Sequence, residues 1–187
     1  MTNHDWDDNA FPMAYLITIR TYGTWLHGDR RGSVDRHGQN VYGTPRIKPN
    51  AELAKIMREE MNGPPFVLNR DQRIAVHHEI EDVCRRRSYF LHALNVRTNH
   101  LHSVVTAEVA PEKIINAFKA NATRALREQN LVSRDIKVWS VGKSRRYLWK
   151  PRSVALAIDY TLNQQGENLI EFEDWLEMRG EALDEDE

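Results

Sequence analysis

The feature that most constrains the fold is a pair of strand-like segments joined by a very short link. Residues 89–97 and 101–107 are rich in apolar and β-branched side chains, which favour strands. The link at residues 97–100 has room for a hairpin turn, but not for the roughly dozen or more residues of a parallel crossover. The two strands are therefore predicted to be antiparallel neighbours.

The segments on either side of this hairpin alternate between strand-like and helix-like patterns. Strands are predicted at residues 13–21 and within 136–149, and helices at 51–61, from Asn69 or Asp71 to about Arg87, from Pro111, and from Pro151 to about Gln165. The resulting order, with insertions set aside, is β-α-β-β-α-β-α. This order predicts an α+β fold, a ferredoxin-like sandwich with a central antiparallel sheet and helices on one face.

Length and cysteine content predict a single intracellular domain. The 187 residues are enough for one domain with its own core, and no apolar run approaches the roughly 20 residues that cross a bilayer. The single cysteine, Cys84, rules out an internal disulfide and fits a reducing compartment. We expect residues 1–187 to form one cytoplasmic domain, with a long loop at 27–50 and an acidic tail at 166–187.

The net charge of −1 hides an uneven distribution. Residues 166–187 carry ten acidic side chains and one basic side chain, so residues 1–165 keep 17 acids and 25 bases, a formal charge of +8. The tail alone is typical of a solvated segment that aids solubility. The basic body that remains attracts phosphate backbones, although charge alone does not identify them.

Two histidines occupy alternate positions at the start of the second hairpin strand. Alternate side chains of a strand point to the same face, so His100 and His102 are predicted to lie side by side. Two neutral imidazoles in this arrangement suit a divalent metal ion. A pair of histidines on the solvated face of a sheet would produce the same pattern, so this motif alone leaves both interpretations open.

The last predicted helix carries a tyrosine and a glutamine four residues apart. Tyr160 and Gln164 share a helical face at this spacing. A tyrosine oxygen can attack phosphorus and form a covalent phosphotyrosine, and a glutamine carbonyl oxygen can bind a metal ion. The alternative is a tyrosine packed on the sheet beside a surface glutamine.

Residues 134–152 combine basic and aromatic side chains. Seven are basic and only Asp135 is acidic, while Trp139, Tyr147 and Trp149 lie between them. Basic side chains bind phosphates, and exposed aromatic rings stack on unpaired bases. The aromatic rings could instead anchor the core, and we expect at least one tryptophan to do so.

The order of these three elements resembles the HUH single-tyrosine transposases of insertion sequences and their REP-associated tyrosine transposase relatives. A strand with His100-x-His102 precedes a basic and aromatic hairpin, which precedes a helix with Tyr160-x-x-x-Gln164. The opening segment 15–25, YLITIRTYGTW, also resembles the first strand of that group. The resemblance covers most of the chain and implies a transposase-like catalytic core at 13–165 with an HUH endonuclease fold.

The resemblance also implies a reaction and a set of residue roles. Tyr160 would be the nucleophile that cleaves single-stranded or hairpin DNA and remains joined to the 5′ phosphate. His100, His102 and Gln164 would hold Mg²⁺ or Mn²⁺, and the protein would be associated with the nucleoid. Family members are often dimers, so a homodimer is one arrangement that the resemblance allows. The DNA-binding candidates are Lys119, Arg124, Lys137, Lys143, Arg145, Arg146, Tyr147, Trp149, Lys150 and Arg152.

Two competing functions follow from the same residues. One is a strand-transferring nuclease, a transposase. The other is a domesticated, non-mobile DNA-binding regulator with the same fold. REP-associated members usually have Asn-Pro after the tyrosine, whereas this chain reads NQQG at 163–166, closer to the insertion-sequence enzymes. A 2H-type RNA phosphoesterase would need two separate His-x-Ser/Thr motifs, which the sequence lacks.

Overall fold

The protein is described by a computed structural model that covers residues 11–30 and 48–166. These residues form four strands and four helices: β1 (Ala14–Thr21), α1 (Ala51–Glu59), α2 (Arg70–Arg86), β2 (Phe90–Val96), β3 (His100–Thr106), α3 (Pro111–Glu128), β4 (Trp139–Leu148) and α4 (Pro151–Asn163). Most of the predicted 27–50 loop and nearly all of the acidic tail lie outside the described residues.

The four strands form one antiparallel sheet in the order β2-β3-β1-β4. The hairpin β2–β3 is present as predicted, and β1 inserts between β3 and β4, which is the strand order of a ferredoxin-like fold. The predicted α+β class with a central antiparallel sheet is therefore confirmed. Among the described residues, none of the helices is long and apolar enough to cross a bilayer.

One face of the sheet is covered by α2 and α3 and forms the larger part of the core. Alternate side chains of β1, Tyr15, Ile17 and Ile19, are almost fully buried against apolar residues of these helices, such as Ile80 and Phe118. This period of two is what an interior strand needs when each of its faces contacts a different layer. The predicted core role of one tryptophan is also confirmed, because Trp139 is buried in this cluster.

The opposite face is covered by α4, which corrects the expectation that all helices share one face. Ala157 of α4 is buried with Ala14, Val104 and Leu148, in a cluster separate from the larger core. Small side chains on both sides allow the helix to pack close to the strands. The remaining positions of β1 and β3, including those of the two histidines, therefore face α4 rather than α2 and α3.

The start of α2 is fixed by a capping box on Asn69. The Asn69 Oδ1 atom accepts a hydrogen bond from the Gln72 backbone N–H at 2.9 Å, and the Gln72 Oε1 atom accepts one from the Asn69 N–H at 2.9 Å. Asp71 lies in the first turn instead. Of the two predicted caps, the structure selects Asn69, because its side chain satisfies donors that the helix itself leaves without partners.

We expect Asn69→Ala to lower the free energy of unfolding by about 1 kcal/mol, since it removes the cap. The matched variant Asp71→Ala loses only a favourable charge near the helix dipole and should cost less, about 0.5 kcal/mol. Urea unfolding followed by circular dichroism measures both values. Equal losses for the two variants would contradict the assignment of Asn69 as the cap.

Candidate active site

The two histidines lie on the central strand β3, on the face covered by α4. His100 and His102 have ring centroids 4.8 Å apart, which confirms that they lie side by side. In the antiparallel register, Thr18 of β1 lies opposite His102, and Arg20 lies opposite His100. His102 is only 7% exposed, whereas His100 is partly exposed.

Each histidine is oriented by an oxygen atom on its Nδ1 side. The His102 Nδ1 atom lies 2.8 Å from the Thr18 hydroxyl oxygen, and the His100 Nδ1 atom lies 2.6 Å from the Asn99 Oδ1 atom. Because a carbonyl oxygen only accepts, the hydrogen-bond network assigns the proton of His100 to Nδ1. In the neutral form of His100 the lone pair is then on Nε2, the arrangement typical of histidines that bind metal ions.

The glutamine that approaches the histidines is Gln165, whereas the sequence pointed to Gln164. The Gln165 Nε2 atom donates a hydrogen bond to the Tyr160 carbonyl at 2.9 Å, and its Oε1 atom lies 3.5 Å from the His100 Nε2 atom. The exposed Gln164 side chain donates instead to the Asp159 carboxylate at 2.5 Å. The predicted Gln164 ligand is therefore not supported by this geometry.

The end of α4 explains this difference. Positions four apart share a face only while the helix continues, and α4 ends at Asn163, so Gln164 is already the C-cap residue with φ −114° and ψ 23°. The altered backbone turns the Gln164 side chain back toward Asp159 and places the Gln165 side chain against the Tyr160 carbonyl in the last turn of the helix. The adjacent glutamine was visible in the sequence, but the pattern did not reveal where the helix would stop.

Tyr160 faces the histidine pair from the same chain. Its ring centroid is 5.3 Å from that of His102, the two rings meet edge to face at 72°, and 39% of the residue is exposed. Asn95, which lies opposite His102 on β2, donates a hydrogen bond from Nδ2 to the Thr161 carbonyl at 2.9 Å. This bond and the packing of Ala157 hold the helix that carries Tyr160 over the sheet.

Burial controls the charge of the inner histidine. Desolvation, together with the neighbouring charges of His100 and Arg20, lowers the pKa of His102 to about 3, although a hydrogen bond with Gln165 opposes this shift. His102 is therefore neutral at physiological pH, as a metal ligand must be. Burial also lowers the pKa of His92, which lies on β2.

The atoms that converge here fit a divalent cation. When His100 is neutral with its proton on Nδ1, its Nε2 atom and the Gln165 Oε1 atom are both acceptors 3.5 Å apart, a contact that a cation between them would make favourable. Within residues 11–30 and 48–166, no three His, Cys, Asp or Glu side chains form a cluster that could hold a metal ion. The donor set of this site therefore consists of two imidazoles and an amide oxygen.

The predicted DNA-binding residues do not form one surface. On β4, Arg146 lies opposite Leu16 and faces α4, whereas Arg145 lies opposite Ile17 on the other side of the sheet. There Arg145 Nε is 2.8 Å from the Glu112 carboxylate on α3. The side chain of Lys143 lies outside the described part of the chain.

The aromatic members of this set are partly exposed. The rings of Tyr147 and Trp149 are nearly parallel, with centroids 6.5 Å apart, and Tyr147 also meets the buried Tyr15 edge to face. Both rings keep about four-tenths of their surface exposed, at 44% and 39%. Lys150 and Arg152, at the start of α4, are exposed as well.

The remaining predicted contacts lie around the outer side of α3. Lys119 donates from Nζ to the Ser140 carbonyl at 2.7 Å, and Arg124 lies 3.5 Å from Glu79 and 3.8 Å from Glu128. Lys119 and Arg124 line an open groove. Lys137 extends in a different direction, over the ring of Tyr22 at 4.6 Å.

Sequence reasoning did not identify Thr18, Asn99 or Arg20 as neighbours of the histidines. Asn99 directly precedes His100, so its proximity could have been noticed. Thr18 and Arg20 are at least 80 residues away in the chain, and only the β1–β3 register reveals their position. That register depends on which strands become neighbours, which a single sequence does not specify.

The chain is similar to known proteins at two levels. Residues 65–158, half of the chain, match the sequence model of the family described as "Transposase IS200 like". This region includes both histidines and most of α4 up to Ile158. Among curated proteins, none is similar enough in sequence to match.

Two solved structures have a similar arrangement of the chain. One, described as a REP-associated tyrosine transposase bound to a REP hairpin, is 13% identical over 81% of this chain, with a TM-score of 0.46, and the chain spans 65% of its length. The other, a putative transposase from Deinococcus radiodurans R1, is 12% identical over 86% of this chain and 96% of its own, with a TM-score of 0.43.

The depressed pKa of His102 predicts a specific dependence of stability on pH. Unfolded histidine takes up a proton below about pH 6.5, whereas His102 in the folded protein does so only near pH 3. The free energy of unfolding is therefore highest, as far as His102 is concerned, above pH 6.5. Between pH 6.5 and about pH 3 it falls by about 1.4 kcal/mol for each pH unit of acidification.

The variant His102→Gln removes this titration but also weakens the contact with Thr18. We expect wild type to be more stable near neutral pH and the difference to shrink on acidification. Urea unfolding of both proteins at about pH 7.5, 6 and 5 measures this difference, in which the titration of shared carboxylates cancels. A difference that does not change with pH would contradict the burial of a neutral His102.

Proposed function

Since the chain belongs to the IS200-like transposase family, we propose that it cuts and rejoins single-stranded DNA through a covalent 5′-phosphotyrosine at Tyr160. The observation that carries this proposal is the position of Tyr160 beside His102 and His100 on one face of the sheet. A tyrosine and two imidazoles, of which that of His102 is neutral, meet there at a partly exposed surface that a DNA strand can reach.

The proposed step exchanges one phosphate ester for another. Tyr160 loses its phenolic proton to solvent, and its oxygen forms a bond to the phosphorus of the scissile phosphodiester. The bond from phosphorus to the 3′ oxygen breaks, and this oxygen leaves with the electron pair and takes up a proton. Because the phosphotyrosine conserves the ester, a 3′ hydroxyl of another strand can reverse the step and join the two ends.

We propose that His100, His102 and Gln165 hold the divalent ion, with Gln165 in the role first expected of Gln164. When bound, Mg²⁺ or Mn²⁺ supplies the Lewis acid that polarises the scissile phosphate. Two imidazoles and one amide oxygen leave room for oxygen ligands from the phosphate and from water, which both ions accept. Thr18 and Asn99 keep the two imidazoles in the orientation that such binding requires.

The proposed DNA path leads from this site along β4 and the start of α4. Arg146 on β4 and Arg152 on α4 place positive charge on the same side of the sheet as the histidines. Tyr147 lies opposite Tyr15 and therefore points to the other face of the sheet, but β4 is an edge strand. The partly exposed rings of Tyr147 and Trp149 can stack on unpaired bases that pass around this edge, for roughly 1–3 kcal/mol each. A hairpin with a single-stranded flank provides both a duplex for the charges and bases for the rings.

The covalent step is tested with labelled hairpin oligonucleotides from the DNA that flanks the gene, in the presence of Mg²⁺ or Mn²⁺. We expect wild type to form a protein–DNA adduct that survives denaturation, and Tyr160→Phe to form none, because it lacks the attacking oxygen. Gel mobility after denaturation and mass spectrometry of the labelled peptide measure the adduct.

Tyr89→Phe is the matched control, since Tyr89 packs against the larger core, on the face of the sheet away from the histidines. Its adduct yield should equal that of wild type. An equal yield from Tyr160→Phe would overturn Tyr160 as the nucleophile. Hairpin binding without any adduct from wild type, and unchanged in His100→Ala and Tyr160→Phe, would instead support a DNA-binding regulator.

The neighbouring glutamines form a natural pair for testing the ligand set. We expect Gln165→Ala to weaken Mn²⁺ binding by about tenfold or more, in the range seen when a metal site loses a supporting group. Gln164→Ala should leave it unchanged, because that side chain bonds to Asp159. The protein is titrated with Mn²⁺, and electron paramagnetic resonance measures the concentration of free ion. This assay requires neither DNA nor enzymatic activity. A larger effect of Gln164→Ala would reverse the assignment.

A further inference from the structure

Arg20 lies next to the histidine pair, but the reaction and the metal site proposed above assign it no role. It is opposite His100 in the β1–β3 register, two residues beyond Thr18 on the same face of the strand. The hydrogen bond between Thr18 and His102 confirms that side chains of these two rows meet on the face covered by α4. Arg20 therefore lies on this face of β1, at the His100 end of the site.

Trp25 fixes the plane of the Arg20 guanidinium group. The Arg20 Cζ atom lies 3.6 Å from the centroid of the Trp25 ring, which is the distance of a stacked cation–π pair. Stacking uses the face of the guanidinium group and leaves its N–H edge directed sideways. An oriented edge with parallel donors matches two oxygen atoms of a phosphate, in the way that arginine recognises such groups.

Asn99, which orients His100, also stabilises the turn that brings Trp25 back to Arg20. The Asn99 carbonyl accepts hydrogen bonds from the Thr21 N–H at 3.0 Å, the Thr21 hydroxyl at 3.1 Å and the Thr24 hydroxyl at 3.3 Å. The side chain of Asn99 meanwhile accepts from His100. One residue thus sets the positions of both the imidazole and the tryptophan.

Gly23 makes this tight turn feasible. Its φ of +69° is a conformation that residues with a side chain rarely adopt, and a Cβ atom there would lie 2.2 Å from the Met61 Cε atom and 3.1 Å from the Pro65 Cα atom. The backbone therefore turns close against the segment that follows α1. This close approach directs the chain back over the end of β1, where Trp25 meets Arg20.

We infer that Arg20 is a phosphate-binding residue of the nicking site, whose guanidinium group, held by Trp25, binds the two non-bridging oxygens of the scissile phosphodiester. This inference rests on the proposed function for the identity of the substrate. The positive charge stabilises the negative charge that grows on the phosphate oxygens as the tyrosine oxygen attacks. Trp25 is a positioning residue that acts through Arg20.

The reaction test compares Arg20→Gln with Arg85→Gln, which removes the same charge from the exposed end of α2. We expect Arg20→Gln to slow adduct formation by about 10²-fold, as loss of a transition-state donor does. Arg85→Gln should react at the wild-type rate. Equal rates for the two variants would overturn the inference.

A substrate with a methylphosphonate at the scissile position identifies the partner of Arg20, because this group lacks one charged oxygen. Wild type should prefer the phosphodiester strongly, and in Arg20→Gln that preference should shrink by about tenfold or more, since the charge contact is already lost. Arg85→Gln should keep the full preference. An unchanged preference in Arg20→Gln would show that Arg20 does not contact this phosphate.

The role of Trp25 is tested by Trp25→Leu and Trp25→Phe. Leucine has no ring for stacking, so the preference for the phosphodiester should shrink as in Arg20→Gln, whereas phenylalanine should retain most of it. Thermal unfolding controls for loss of fold, which alone would lower the amount of active protein without changing the preference. Equal preferences in the two Trp25 variants would contradict the positioning role.

A binding experiment separates this inference from the proposed reaction. In the Tyr160→Phe background, Arg20→Gln should weaken binding of a single-stranded oligonucleotide and reduce the slope of log K against log salt by about 0.7, the value for one phosphate contact. If wild type forms no adduct, the proposed function fails and this binding result alone decides the role of Arg20. A slope equal to that of Arg85→Gln would then overturn it.

Discussion

The antiparallel register between β1 and β3 is the constraint on which the site depends. It places Thr18 opposite His102 and Arg20 opposite His100. A slip of one residue would turn these side chains to the other face of the sheet, where α2 and α3 pack on Ile17 and Ile19. The buried apolar residues of β1 therefore hold the polar ones in place, because exchanging the two rows would bury charge in the core.

The two faces of the sheet have different roles that follow from this register. The face toward α2 and α3 contains the larger core, to which β1 contributes Tyr15, Ile17 and Ile19. The face toward α4 has a small apolar cluster around Ala157 and Val104, and beyond this cluster it is polar. The larger core supports the sheet, so the second face can expose His100, Arg20 and Tyr160 with little loss of stability.

Much of the fold could be predicted from local patterns. The hairpin β2–β3, the order of helices and strands, and the side-by-side histidines all follow from short-range periodicity, and the structure has them as expected. The position of α4 on the second face could not be read in this way, since its apolar residues would fit either side of a sheet. It depends on the match between Ala157 and the small residues Ala14 and Ala93.

The site itself was predicted only in part. His100, His102 and Tyr160 meet as the motif order suggested, whereas the expected Gln164 contact requires the helix to continue past Asn163, and α4 stops there. Gln165 has the Tyr160 carbonyl on one side of its amide and His100 on the other. A group bound to the Oε1 atom would therefore also fix the amide that donates to the last turn of α4, so occupancy of the site and the order of the helix end beyond Tyr160 are linked through one side chain.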